Sequence, residues 1–394
     1  MTDAAMPLEQ IREEITALDN ELVALLARRR KLSIEVAKSK IGTTKPVRDQ
    51  AREQMLLQRL ISEGQKHQLD GQYVTQIFHT IIEDSVLYQQ AYLQQLTNPD
   101  SAQPSVRVSF LGNKGSYSHL ATRNYFSRKQ TQVVEMNCSS FKDIINQVER
   151  GQTDYGVLPI ENTSSGSINE VYDLLQHTRL SIVGEITLPI EHCLLTAVDT
   201  HLEAIDTLYS HPQPHQQCSE FLHSLGDIKQ EYCSSTADAM EVVAQKKLAN
   251  IAAIGHASSG ALYGLQVLKT DIANQDENHT RFIVVARKAV DVTPLVPAKT
   301  TLIMSTDQKP GSLVECLLVL RNLNINMAKL ESRPVMGNPW EEMFYLDVEG
   351  NIKSDTMQQA MDDLTRLTRT IKVLGCYPSE NVKPVDPNTG ELID

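Results

Sequence analysis

The sequence predicts a multidomain chain of three unlike parts: an all-helical N-terminal segment, an α/β centre and a smaller α+β unit of ferredoxin-like type. Three observations carry this. Apolar residues recur at helical spacing through 1–96, short β-rich runs alternate with helical stretches through 106–286, and elements in the order βαββαβ fill 298–380. A length of 394 residues fits two or three domains of about 100–200 residues each. Two linkers divide the parts, 97–105 and 291–297, each with two prolines and no periodicity.

The first part reads as three helices. In the first, Ile11, Ile15, Leu18, Leu22, Leu25, Arg29, Leu32 and Val36 form a heptad-type seam, with Arg29 where an apolar residue belongs. Lys40 lies 11 residues further on and, at about 100° per residue, returns to within roughly 20° of that face. Burying unpaired charge costs several kcal/mol, so anions must meet these cations. A second helix after Pro46 carries Asp49 and Glu53 one turn apart. On the third, from about 71 to 96, the apolar stripe of Val74, Phe78 and Ile81 runs on into Ser85 and Gln89. Three helices thus contribute six polar residues to one interior pocket. Mis-phasing by drift of the helical period would have to hold at all six. The first helix would run roughly 50 Å, more than two short partners can cover, which predicts an intertwined homodimer.

In the centre, strands are expected at 106–111, 131–135, 155–158, 182–188, 251–254 and 281–285. The last part offers strands at 300–305, 326–331, 344–348 and 372–374, with helices at 312–321 and 356–370.

Composition narrows the function. The chain carries 37 Lys+Arg against 49 Asp+Glu, a net −12, which argues against a dedicated nucleic-acid binder. Between Arg28 and Arg52, however, 9 basic residues face 2 acidic ones. Such a helix could grip phosphates, but no aromatic residue lies in that window to stack on bases. No run of 18 apolar residues predicts a membrane span, and the N-terminus lacks a signal-peptide pattern. The six cysteines are scattered without a CxxC pair, which fits reduced thiols in a cytoplasmic protein. Histidines 119, 192, 211 and 279 show no ligand spacing, and no metal or cofactor is expected.

The motifs then become specific. Arg12, Ala27-Arg28-Arg29, Lys40, Pro46-Val47-Arg48-Asp49, Arg52-Glu53, Ile82-Glu83-Asp84-Ser85 and Gln89 resemble the all-helical chorismate mutase family. The central signatures are Gly112-Asn113-Lys114-Gly115-Ser116-Tyr117-Ser118, Pro159-Ile160-Glu161-Asn162-Thr163, Ser210-His211-Pro212-Gln213 and Thr280-Arg281-Phe282. They resemble prephenate dehydratase. Gly311-Ser312-Leu313-Val314 and Glu331-Ser332-Arg333-Pro334 resemble an ACT regulatory module. Taken whole, the chain resembles the bifunctional chorismate mutase/prephenate dehydratases of bacterial phenylalanine biosynthesis.

The resemblance implies a pericyclic rearrangement of chorismate to prephenate, which needs a fixed conformer and complementary charge and no proton transfer. It places Arg29, with Arg12 of the other subunit, and Ser85 on substrate carboxylates. Lys40 and Gln89 would serve the ether oxygen, and Asp49 and Glu53 the ring hydroxyl. For the second step it implies two lobes of periplasmic-binding-protein type, with Glu161, Asn162, Gln217, Thr280, Arg281 and Phe282 at the cleft. Thr280 would assist loss of the ring hydroxyl as CO2 departs. It also implies L-phenylalanine as feedback inhibitor, held by residues 311–314 and 331–334. Helix-start amides suit its carboxylate and Glu331 its ammonium group. Asn113 stands where the family often has proline, and Ser312 where alanine is common. The alternative is an amino-acid-responsive ligand sensor, which would not require Lys40, Gln89 and Thr280.

Overall fold

The computed structural model describes residues 6–393 apart from 44, 100–102, 130, 276, 336–340, 381, 382, 384 and 392. Part of the first expected linker, 100–102, therefore lies outside the described residues. The chain divides into two compact units, one helical and one built on sheets.

The helical unit holds α1 (Leu8–Lys40), α2 (Gln50–Lys66) and α3 (Gly71–Thr97). Asp49 caps α2 by accepting from Arg52 N, and Asp70 caps α3 by accepting from Gln72 N and Tyr73 N. Each satisfies amides that the first turn leaves without partners. Leu57, Ile82, Val86 and Leu93 are buried at the core. On α1 only Ser33 and Ala37 are buried, while Ile15, Leu18, Leu22, Leu25 and Leu32 stay more than half exposed. Residues 293–296 and the C-terminal segment from 381 onward join this unit. There Val47 N donates to Leu295 O at 2.9 Å, and Gln58 Nε2 donates to Pro387 O at 2.8 Å.

The second unit contains three sheets. The first combines β1 (Ser105–Leu111), β2 (Gln132–Cys138), β3 (Tyr155–Asn162), β4 (Gly166–Ser167), β5 (Ser181–Pro189) and β11 (His279–Ala286). Its order is β2-β1-β3-β11-β5, with β4 on β3. It packs against α4 (Tyr117–Ser127), α5 (Phe141–Glu149) and α6 (Asn169–His177) through Phe110, Tyr125, Ile144, Leu158 and Tyr172. The second sheet, ordered β10-β6-β9-β7-β8, comprises β6 (Cys193–Thr196), β7 (Thr207–Ser210), β8 (Lys229–Tyr232), β9 (Ile251–Gly255) and β10 (Gln266–Lys269). It carries α7 (Pro212–Gln217), α8 (Ser219–Ser224), α9 (Thr236–Lys246) and α10 (Ala257–Leu262). The chain leaves the first lobe after β5 and re-enters it at β11, so two crossings join two α/β lobes.

The third sheet is formed by β12 (Ala298–Thr306), β13 (Met327–Pro334), β14 (Glu342–Glu349) and β15 (Thr368–Pro378), with α11 (Ser312–Asn322) and α12 (Asp355–Leu367). Its order, β13-β14-β12-β15, is the ferredoxin-like arrangement of a βαββαβ chain. One expectation is corrected: residues 368–370 begin β15 instead of ending the helix. Thr368 is already extended, and Ser305 and Thr306 of β12 pair with Thr370 and Thr368, so ladder bonds outweigh helix continuation.

Candidate active sites

The helical pocket has a volume of about 230 Å³ and draws on all three helices. Arg29, Lys40, Asp49, Glu53, Ser85 and Gln89, the six residues expected on one interior face, all line it. Arg29 Nη1 donates to Ile81 O at 3.0 Å, and Ser33 and Ser85 share a hydroxyl contact of 2.6 Å. Lys40 Nζ donates to Pro46 O at 2.9 Å and to Val47 O, both at the loop before α2. Burial lowers the Lys40 pKa, opposed by Asp49; burial also lowers that of Arg29, opposed by Asp84.

The acids are already engaged. Asp49 caps α2, and Glu53 accepts both Nε and Nη2 of Arg48 at 3.1 Å. The pocket wall also holds Arg52, so three cations face two anions, one of them neutralised by Arg48. The net field is positive, as a dicarboxylate requires. Gln89 donates to Ser85 O at 3.1 Å, while its buried Oε1 has no partner among the described residues. Arg12 is not brought here: it is exposed on α1, 17 residues or about 25 Å before Arg29. Sequence reasoning gave no role to Arg48, quoted only within the Pro46–Asp49 motif, and did not name Ser33. Ser33 carried a signal, one turn beyond Arg29 on the same face; Arg48 sits in a loop with no period to betray it.

The second candidate is a cleft of about 890 Å³ between the two lobes. Asn162, Gln217, Thr280 and Phe282 line it, as expected. Glu161 and Arg281 do not, and this corrects their assignment. Successive strand residues point to opposite faces, so Arg281 turns away between Thr280 and Phe282, and Glu161 turns away beside Asn162. The two form an ion pair of 2.9 Å behind the cleft.

Thr280 Oγ1 accepts from Asn162 Nδ2 at 2.9 Å, which leaves the hydroxyl proton free to point elsewhere. Asn162 Oδ1 in turn accepts from Ser164 N, Ser165 N and Ser165 Oγ at 2.9–3.0 Å. Next to it, His192 Nε2 lies 2.8 Å from Gln217 Oε1, and His192 Nδ1 lies 3.1 Å from Tyr117 Oη. An amide oxygen only accepts, so Nε2 carries the proton. Burial lowers the His192 pKa, with the Gln217 hydrogen bond opposing, and this keeps the ring neutral. From sequence, His192 was read only as a histidine without ligand spacing and Tyr117 only as part of the Gly112–Ser118 signature, since hydrogen-bonding across distant loops leaves no local pattern.

No lysine or arginine is among the described lining residues. Instead, Ser116 caps α4 from one lobe and Ser235 caps α9 from the other, and both cap residues line the cleft. Helix N-termini favour anions, so the start of α4 can receive one, whereas the start of α9 already carries the carboxylate of Asp238, which lines the cleft and accepts from Asn113 Nδ2 at 2.7 Å. The loop before α4 bends through Gly112 and Gly115, both at positive φ. It is pinned where Gly115 N donates to His119 Nδ1 at 3.0 Å while His119 Nε2 meets Glu135 at 3.1 Å.

In the third sheet, Gly311 begins α11 at φ +86° without a side-chain cap, so the amides of Ser312, Leu313 and Val314 start the helix. Residues Glu331, Ser332, Arg333 and Pro334 end β13, an edge strand. β12 and β13 both run antiparallel to β14, so β13 ends on the side of the domain where β12 passes into the Gly311 loop. Glu331 accepts from Ser167 Oγ at 2.6 Å, and Arg333 pairs with Asp173 at 2.9 Å. Among the described residues no group of three or more His, Cys, Asp and Glu could hold a metal, and no helix is long and apolar enough to cross a membrane. All six cysteines are unpaired.

Residues 11–90 match chorismate mutase type II, and residues 108–290 match prephenate dehydratase. The bifunctional chorismate mutase/prephenate dehydratase of Escherichia coli (strain K12) is 60% identical over 381 residues, covering 97% of this chain and 98% of that protein. The chain belongs to this family. It is a bifunctional enzyme with chorismate mutase and prephenate dehydratase activities. Among solved structures, a prephenate dehydratase from Arthrobacter aurescens in complex with L-Phe is 25% identical with a TM-score of 0.63, covering 71% of this chain and 92% of that one. A protein described as a quorum quenching acylase is 29% identical at a TM-score of 0.62, covering 69% of this chain and 98% of that one. Architecture alone therefore does not select the chemistry; the residues of the sites must.

Proposed function

We propose that the helical pocket is the mutase centre, that the interlobe cleft is the dehydratase centre, and that L-phenylalanine controls the enzyme through the βαββαβ domain. The observation that carries the first part is the convergence of Arg29, Lys40 and Gln89 from two helices on one small, positive pocket. Arg29 and Ser85 hold carboxylates. Lys40 and Gln89, its amide turned so that N–H faces inward, stabilise the negative charge that grows on the breaking ether oxygen. Asp49 and Glu53 orient the ring hydroxyl. Arg12 completes the pocket of a second copy, whose α1 covers the exposed seam; the enzyme is a homodimer or larger and works in the cytoplasm.

In the cleft, the N-terminus of α4 receives a carboxylate of prephenate. Thr280 donates to the departing ring hydroxyl as CO2 leaves, and aromatisation supplies the driving force, so a weak acid suffices. Asn162 orients the Thr280 hydroxyl, Gln217 lies beside the departing group, and Phe282 walls the site. The domain boundaries that accompany this reading are 1–96, 106–286 and 298–380. The last is an ACT module, with Gly311, Ser312, Leu313 and Val314 toward the inhibitor's carboxylate and Glu331 toward its ammonium group. Ser332, Arg333 and Pro334 shape the strand end beside it. Inhibition requires phenylalanine to favour the less active state.

Adding chorismate to the purified protein and following prephenate, then phenylpyruvate, with and without L-phenylalanine, tests all three parts. Sequential appearance of both products, slowed by phenylalanine, is expected. Absence of either product overturns the matching site, and insensitivity to phenylalanine overturns the regulatory assignment.

A further inference from the structure

Behind the cleft, between the first and third sheets, lies a buried cluster of charges centred on Arg281. Its Nε donates to Glu185 at 2.8 Å, its Nη1 meets Glu161 at 2.9 Å and Asp347 at 2.6 Å, and its Nη2 donates to the Tyr377 hydroxyl at 3.2 Å. Lys329 pairs with the other oxygen of Glu161 at 2.7 Å, and Lys299 with Glu185 at 2.7 Å. Lys329 also meets Glu331 at 3.5 Å, so four carboxylates meet three cations. Each strand of the third sheet supplies one partner: Lys299 from β12, Lys329 from β13, Asp347 from β14 and Tyr377 from β15. The sheets approach closely here, since a Cβ at Gly375 would collide with the Ile182 carbonyl.

A network of this kind is weak evidence for stability, because well-packed apolar residues would do as well. What a guanidinium fork adds is geometric definition. The register shows where definition is needed. Thr280 pairs with Asn162 and Arg281 with Glu161 on consecutive rungs, and directly after them the ladder shifts, leaving Ile160 as an extra residue on β3. Bulges re-aim side chains beside active sites and interrupt backbone pairing. The rung that carries Thr280 and Asn162 toward the cleft is therefore fixed from behind by side chains.

We propose that Arg281 is a positioning residue for the dehydratase, through which Asp347 and Lys329 of the βαββαβ domain hold the Thr280–Asn162 hydrogen bond in its productive geometry. This rests on the reading of Thr280 as the group that acts on the leaving hydroxyl. It also gives the third domain a physical grip on the cleft, as movement of β13 or β14 pulls on Glu161 and Arg281 first.

The test uses the full-length enzyme with Asp347→Asn and, because loss of a buried partner can impair folding, the less buried Lys329→Gln. Both lie outside the cleft. The dehydratase kcat falls on the order of tenfold in each, the KM for prephenate stays within about twofold, and the mutase rate is unchanged. Asp173→Asn breaks a pair with Arg333 in the same interface that does not touch Arg281, and it leaves kcat within about twofold. An unchanged kcat in Lys329→Gln, or an equal fall in Asp173→Asn, overturns the proposal. If Thr280→Val retains full activity, the reading beneath it fails as well, a result distinguishable from either.

Discussion

Replacing Thr280 by valine separates chemistry from structure at the dehydratase centre. The two side chains share shape and β-branching, so the change removes one buried hydroxyl and little else. Asn162 Nδ2 loses its 2.9 Å acceptor but keeps Asn278 Oδ1 at 2.6 Å and His279 O at 3.0 Å, enough for both amide protons. No donor is stranded, and the folding cost stays near or below about 1 kcal/mol. A proton donor to a leaving group is worth roughly 10²–10⁴ in rate, or about 2.7–5.4 kcal/mol of barrier. Initial rates of phenylpyruvate formation from supplied prephenate should fall by that factor with KM nearly unchanged, since the hydroxyl acts on the transition state. Mutase rate and melting temperature, read on the same preparation, should match the parent. Dehydratase activity within about threefold of the parent would refute the role of Thr280.

Three further outcomes follow from other residues. Lys40→Met should cut mutase kcat/KM by about 10²-fold or more and spare the dehydratase; in the parent, because burial lowers the Lys40 pKa, mutase kcat/KM should decline with an alkaline midpoint below the ordinary lysine value. Leu22→Asp places a charge on the exposed seam of α1, so sedimentation should show a smaller particle, with mutase activity lost and dehydratase retained; an unchanged particle would exclude the seam as the interface. Burial pushes the Glu380 carboxyl up to about 7, against the pull of Arg128 and Lys129. The folded state therefore holds a proton that the unfolded state releases near the usual carboxylate range, and stability declines as pH rises through that window to about 7. Glu380→Gln should raise the melting temperature relative to the parent at pH about 8 and not at about 5.

Much of the helical site was legible because helical periodicity is a long-range ruler. Arg29 and Lys40 sit 11 residues apart and still share a face, and cations at apolar positions mark a pocket. The role of the loop residue Arg48 escaped, for its bond to Glu53 depends on how the chain turns between α1 and α2. At the cleft, contiguous motifs misled. Thr280, Arg281 and Phe282 are consecutive, but a strand sends the middle one to the other side, and the same holds for Glu161 beside Asn162. Strict use of the two-residue period would have separated them. The link from Tyr117 through His192 to Gln217 joins residues 75 and 25 positions apart, and no local rule reports such contacts. The start of β15 was hidden for another reason: Thr368 and Thr370 commit to a strand only because β12 offers them partners.

The return of β11 into the first sheet bears on how this protein is made. β11 lies between β3 and β5, and its Thr280 meets Asn162 across 118 residues of chain. As the polypeptide leaves the ribosome, the first lobe waits without its middle strand while the whole second lobe emerges. During that interval β3 and β5 face each other across a gap, with unpaired edges open to wrong partners. The wait lasts as long as synthesis of the second lobe, which contributes no strand to the first. Nascent chains stalled before residue 279 should be the aggregation-prone species, and translation past that point the step that rescues them.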